Sequence, residues 1–128
     1  MNVGVIGAGR IGKVHAENLA LRIPGTKVVA LADVVLSAAE ETAARLNIPR
    51  VTADYQEVIN SPDVEAIIIC SATNTHKEII IDAARAGKHI FCEKPIDLNL
   101  SRIDEALAVV AETGVKLQIG FNRRFDPN

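Results

Sequence analysis

A chain of 128 residues, 48% hydrophobic and 23% charged, has the make-up of one globular domain, long enough to bury a core without disulfide or metal staples. Its formal net charge of −2 gives no electrostatic reason for a nucleic-acid partner or an anionic membrane surface. Arg10 and Lys13 interrupt the apolar start before it reaches the length of a secretion signal or membrane span, so a cytoplasmic location is expected.

Short β-branched runs alternate with helical segments along the chain. The pattern predicts strands over 2–6, 27–32, 50–53, 65–70, 89–92 and 116–120, with helices over 10–22, 37–46, 55–60, 75–86 and 101–113. Three helix starts read as capping boxes: Ser37 with Glu40, Thr75 with Glu78, and Ser101 with Asp104. Pro24-Gly25, Asn47, Gly87 and Gly114 read as stops. In the last helix Ile103, Ala106, Leu107, Val110 and Ala111 form the stripe expected to lie on the sheet. Such alternation predicts an α/β fold, a doubly wound parallel sheet in three αβα layers with strand order 3-2-1-4-5-6, as one domain over 1–128.

The first strand feeds into Gly7-Ala8-Gly9-Arg10-Ile11-Gly12, and Asp33 follows at the end of the second strand. This is the dinucleotide fingerprint in its required context. Gly7 allows the tight turn, Gly9 clears space for a diphosphate, and Gly12 admits close packing of the helix, whose N-terminus attracts the phosphates. Asp33 is suited to accept from the ribose hydroxyls. It also repels a 2′-phosphate, and Val34-Val35-Leu36 supply no arginine to receive one, which favours NAD over NADP; Arg10 and Arg45 are the cations that could offset this.

Ligands in such sheets bind beyond the carboxyl ends of the strands. After the fourth strand comes Ser71-Ala72-Thr73-Asn74-Thr75-His76, a set suited to capping a helix, to meeting a ribose and nicotinamide, or to both together. His76 sits in a first helical turn, where packing or capping outweighs a role as catalytic base. After the fifth strand come Glu93-Lys94-Pro95, with Pro95 biasing Lys94 away from the helical region. From position alone Lys94 is either a solvated charge or a proton carrier beside a nicotinamide. Arg123 and Arg124 follow the last strand and either orient a polyhydroxyl or anionic substrate or pair across a domain junction. Cys70 and Cys92 lack a C-x-x-C or His-rich setting, so both are expected as small buried hydrophobes, with no metal and no disulfide.

Taken together, Gly-Ala-Gly-Arg-Ile-Gly at 7–12, Asp33, Ser-Ala-Thr-Asn-Thr-His at 71–76, Glu-Lys-Pro at 93–95 and Gly-Phe-Asn-Arg-Arg-Phe-Asp at 120–126 resemble the N-terminal domain of the glucose–fructose oxidoreductase, inositol dehydrogenase and rhizopine-catabolism (Gfo/Idh/MocA) family. Within it they look most like the myo-inositol 2-dehydrogenase branch. The resemblance implies that Lys94 takes part in a catalytic proton relay. It implies cofactor contacts along Gly7, Ala8, Gly9, Arg10, Ile11 and Gly12, at Asp33 and Val34, in the loop at Ser71, Ala72, Thr73, Asn74 and His76, and at Glu93 and Lys94, with Arg123 near the nicotinamide and substrate. The family continues into a second α/β domain that supplies the base and most substrate contacts, and the sequence ends where that domain is expected to begin. The isolated domain is therefore expected to bind NAD, to meet a polyol or sugar substrate only with a second domain, and to self-associate through its junction face around Phe121–Phe125. The alternatives are a non-catalytic NAD-binding or regulatory module, a methyltransferase, and a different Rossmann dehydrogenase.

Overall fold

Each short run of Val, Ile and Ala is followed by an amphipathic helix that crosses back over the growing sheet, which makes neighbouring strands parallel. The computed structural model describes residues 1–127; Asn128 lies outside them. The strands are β1 (Asn2–Ile6), β2 (Lys27–Ala32), β3 (Arg50–Thr52), β4 (Ala66–Ile69), β5 (His89–Glu93) and β6 (Leu117–Gly120). The helices are α1 (Arg10–Leu21), α2 (Leu36–Leu46), α3 (Tyr55–Ile59), α4 (Thr73–Arg85) and α5 (Leu100–Thr113), and a 3-10 turn, which the sequence pattern does not suggest, covers Asn122–Phe125. All strand pairs are parallel, in the expected order β3-β2-β1-β4-β5-β6.

Two cores hold the layers together. On one face Val5, Val28 and Leu31 meet Ala16 of α1 and Ala39, Ala43 and Leu46 of α2. On the other, Ile67, Ile69, Ile90 and Cys92 meet Val58 and Ile59 of α3, Ile79, Ile80 and Ala83 of α4, and Ala106 of α5. No helix among the described residues is long and apolar enough to cross a membrane.

None of the three helix starts is capped by the expected residue. Asn99, two residues before Ser101, caps α5 by accepting the Ser101 N–H at 2.9 Å. The N-cap of α2 is Val35, whose own N–H is donated to Asp33, and that of α4 is Ala72; neither helix has a side-chain cap. Thr75 lies inside α4 and donates its hydroxyl to the Ala72 carbonyl at 2.6 Å. An unforeseen cap is Asp54, which accepts the Gln56 N–H at the start of α3. The expected stops at Asn47 and Gly114 are left-handed C-caps. The inward stripe of α5 is rotated from expectation: Ala106 is buried and Val109 and Val110 pack on the core, whereas Leu107 and Ala111 face outward.

Candidate functional site

The strand order reverses between β1 and β4, and the site is built where their carboxyl ends part. Gly7 leaves β1 with φ +103°, a conformation that other residues rarely adopt, and donates its N–H to the Ala32 carbonyl at 2.8 Å. A Cβ there would come within 2.6 Å of the Cys70 carbonyl. Gly12 is equally confined: its Cβ would fall 1.8 Å from the Gly7 oxygen. Gly9 is the opposite, since a Cβ on it would meet nothing within 4 Å. The turn is thus closed against the protein at Gly7 and Gly12 and open outward at Gly9. Gly9 is also the N-cap of α1, which has no side-chain cap and no acid in its first turn. An uncapped helix N-terminus behind an open glycine suits a diphosphate in both shape and sign.

Asp33 closes one end of this space. Its Oδ2 accepts the Ala8 N–H at 2.6 Å and its Oδ1 accepts the Val35 N–H at 2.8 Å. Each carboxylate oxygen retains accepting capacity, so a pair of ribose hydroxyls finds an acceptor already fixed in place. Arg45, a cation considered for a 2′-phosphate, is taken by Glu17 at 2.8 Å.

The groove, about 320 Å³, runs across the ends of β1–β4. It brings together the expected Gly7, Gly9, Asp33, Val34, Ser71 and Ala72. Ile6, Ala32, Ala53, Tyr55, Cys70, Thr75 and Ile79 complete it, and the sequence motifs do not assign them. Tyr55 is the largest addition; its hydroxyl donates to Asp82 Oδ2 at 2.8 Å, and burial together with that carboxylate pushes the phenol pKa upward. Its position is the signal that could have revealed it, because Tyr55 stands just beyond the carboxyl end of β3, at the same ligand-binding edge as the loops after β1, β2 and β4. Ala8 contributes its N–H through Asp33, while Arg10 and Ile11 are exposed on the first turn of α1.

Other expected residues lie elsewhere. Thr73 and Asn74 line a separate hollow with Asp97, Leu98 and Arg102. Lys94 and Arg123 come together in a hollow with Phe121, Asn122 and Arg124, at the ends of β5 and β6. Glu93 stands beside them, but its Oε1 meets His15 Nε2 of α1 at 2.8 Å, a partner that no sequence motif points to.

His76 corrects an expectation. It is 2% exposed, with Nδ1 2.8 Å from the Pro95 carbonyl and Nε2 2.9 Å from the Ser71 carbonyl. Whichever nitrogen carries a proton donates to the carbonyl it faces, and the ring, buried between the two loops, offers no polar atom to a cofactor. Cys92 is buried in the core as expected, whereas Cys70 is only partly buried and lines the groove; burial, assisted by the charge of Glu93, pushes both thiols up to about 12. Both are free.

The sequence profile of the Gfo/Idh/MocA oxidoreductases, described as an NAD-binding Rossmann fold, matches residues 1–121. This chain belongs to that family. Among the family's proteins, the oxidoreductase YrbE of Bacillus subtilis is 50% identical over 125 residues, covering 98% of this chain and 36% of its own length. The myo-inositol 2-dehydrogenase of Thermotoga maritima is 44% identical over 128 residues, 100% of this chain and 38% of its own. The crystal structure of scyllo-inositol dehydrogenase from Lactobacillus casei, with bound NAD(H) and scyllo-inositol, superposes with a TM-score of 0.94 at 36% identity, over 99% of this chain and 38% of that one. The chain therefore corresponds to the NAD-binding Rossmann domain of Gfo/Idh/MocA oxidoreductases and spans a little over a third of the length of these relatives.

Proposed function

We propose that the chain is the cofactor-binding part of a dehydrogenase that oxidises a secondary alcohol on a cyclitol or sugar, and that this part binds NAD without turning over substrate by itself. The observation that carries the reading is the Asp33 carboxylate, fixed by the Ala8 and Val35 N–H groups at the end of a groove that opens over Gly9. In this reading the turn at Gly7–Gly12 holds the diphosphate, and Asp33 and Val34 hold the adenosine ribose. Ser71 and Ala72 meet the second ribose, with Glu93, Lys94 and Arg123 on the nicotinamide side.

Bound NAD supplies the hydride acceptor. Lys94 holds the substrate hydroxyl and steadies its oxygen as the proton leaves, with Arg123 alongside. The base that takes the proton belongs, on this reading, to the part of the relatives' length that this chain does not span. Two free cysteines suit a reducing cytoplasm. In the segment after β6, Phe121 and Phe125 are exposed and form a surface through which copies of the isolated domain associate.

Isothermal titration with NAD and NADP, run beside an assay of NADH formation from myo-inositol and scyllo-inositol, tests the proposal. NAD should bind, NADP should bind more weakly, and no NADH should form. Tighter binding of S-adenosylmethionine than of NAD, or no binding of NAD, overturns the cofactor reading. NADH formation by this chain alone overturns the assignment of the base to another part.

A further inference from the structure

His15 stands on α1, the helix whose N-terminus opens onto the groove, yet its ring reaches sideways to β5. It lies against Phe91, with ring centroids 5.2 Å apart and tilted by 59°, and brings Nε2 to 2.8 Å from Glu93 Oε1. Glu93 is paired in register with Gly120 of β6. A Cβ on Gly120 would lie 3.3 Å from both Cδ and Oε1 of Glu93 and 3.0 Å from Phe91 Cζ, so the missing side chain is what lets the carboxylate and the ring lie there. The second oxygen of Glu93 accepts the Lys94 N–H at 3.3 Å. The carboxylate is thus held from α1, bordered by β6 and tied to the residue after it. Neither partner is core filling, since the side chains of His15 and Glu93 remain 28% and 22% exposed.

We infer that His15 is a positioning residue for the nicotinamide end of the site, acting through Glu93 on Lys94; this deepens the cofactor reading above and rests on it. A glutamate at a strand end is a flexible anion one residue from a cation that must serve a ligand. Given no other partner, it is free to take the ammonium of Lys94 for itself. Nε2 of His15 removes that option by fixing the carboxylate against Gly120, and the Glu93–Lys94 turn is set with it. Because His15 belongs to α1, the same helix that faces the diphosphate also orients the groups beside the nicotinamide.

The test compares NAD⁺ with ADP-ribose, which keeps the adenosine, diphosphate and second ribose but lacks nicotinamide. Both are titrated against the wild-type chain and against His15→Phe, His15→Gln, Glu93→Gln and the His15→Phe/Glu93→Gln pair. His15→Phe keeps the ring on Phe91 and loses the hydrogen bond. It should weaken NAD⁺ by about three- to tenfold, the range of one such bond, and leave ADP-ribose within about twofold. His15→Gln, which can donate from its carboxamide, should recover most of the loss. The double variant should bind NAD⁺ no more weakly than the worse single variant. Equal weakening of both ligands, unchanged NAD⁺ binding in His15→Phe, or additive losses in the pair overturns the inference while the cofactor reading stands. A wild-type chain that binds neither ligand removes the cofactor reading and this inference together. If circular dichroism finds His15→Phe unfolded, His15→Gln against Glu93→Gln decides the matter: NAD⁺ must be weakened selectively in the second and spared in the first.

Discussion

Ala8 donates its N–H to Asp33 at 2.6 Å, joining the turn after β1 to the end of β2. The acid that is read from the sequence as a ribose acceptor is therefore also a fastening of the glycine turn. Asp33→Ala should show both roles. Loss of the acceptor for Ala8 and Val35 should lower stability by about 1–3 kcal/mol in urea denaturation, and NAD affinity should fall by about tenfold or more as two charge-assisted bonds are lost. NADP should suffer less than NAD, because the repulsion of a 2′-phosphate goes with the carboxylate. An unchanged ratio of the two affinities would remove Asp33 from the basis of cofactor choice.

Gly12 and Gly9 of the turn should separate by experiment. Gly12→Ala drives a methyl into the Gly7 oxygen, 1.8 Å away, and should destabilise the fold by about 3 kcal/mol or more. The Cβ of Gly9→Val meets no protein atom within 4 Å and the backbone there has an ordinary conformation, so its melting temperature should barely move. Its NAD affinity should nevertheless fall by about tenfold, the order of a steric misfit in a packed contact. A Gly9→Val chain that binds NAD normally would mean that the diphosphate does not lie over this turn.

The two thiols set an alkaline limit on stability. Both are held at about 12 in the folded chain, well above an ordinary thiol. From about pH 9 the unfolded chain releases protons that the folded chain retains, so stability should fall from there up to about pH 12, and this source adds no slope at lower pH. Tyr55, also raised, acts in the same direction. Urea midpoints measured against pH should flatten in a Cys70→Ala/Cys92→Ala variant. In the native chain both cysteines should resist iodoacetamide at pH 8.

The apolar rim predicts association. Phe121 and Phe125 are 52% and 78% exposed within one short segment at the end of β6, a local concentration of bare aromatic surface that scattered single residues do not produce. Light scattering should find a mass that rises with concentration, and Phe121→Ser/Phe125→Ser should return the chain to a monomer. A constant monomeric mass at high concentration would dismiss this face as a contact.

The fold was legible because strand and helix periods agree with each other throughout, and the glycine turn with Asp33 located one end of the groove. What escaped the sequence was contact between distant segments. Tyr55 lines the groove because β3 ends beside β2, and His15 meets Glu93 because the helix after β1 and the carboxyl end of β5 lie at the same edge of the sheet; neither pair is close in the chain. Capping failed for a local reason. Ser37, Thr75 and Ser101 are good cap residues, but Asn99 outcompetes Ser101, and α2 and α4 begin from backbone tied to Asp33 and to Thr75. His76 was drawn toward the ligand by its place in a site loop, when burial had turned it inward.

One imidazole thus lies between the ends of β4 and β5, with the Ser71 carbonyl facing one nitrogen and the Pro95 carbonyl the other. Drawing the serine loop away from the lysine turn would uncover a buried polar ring, a cost that holds the spacing between the two loops.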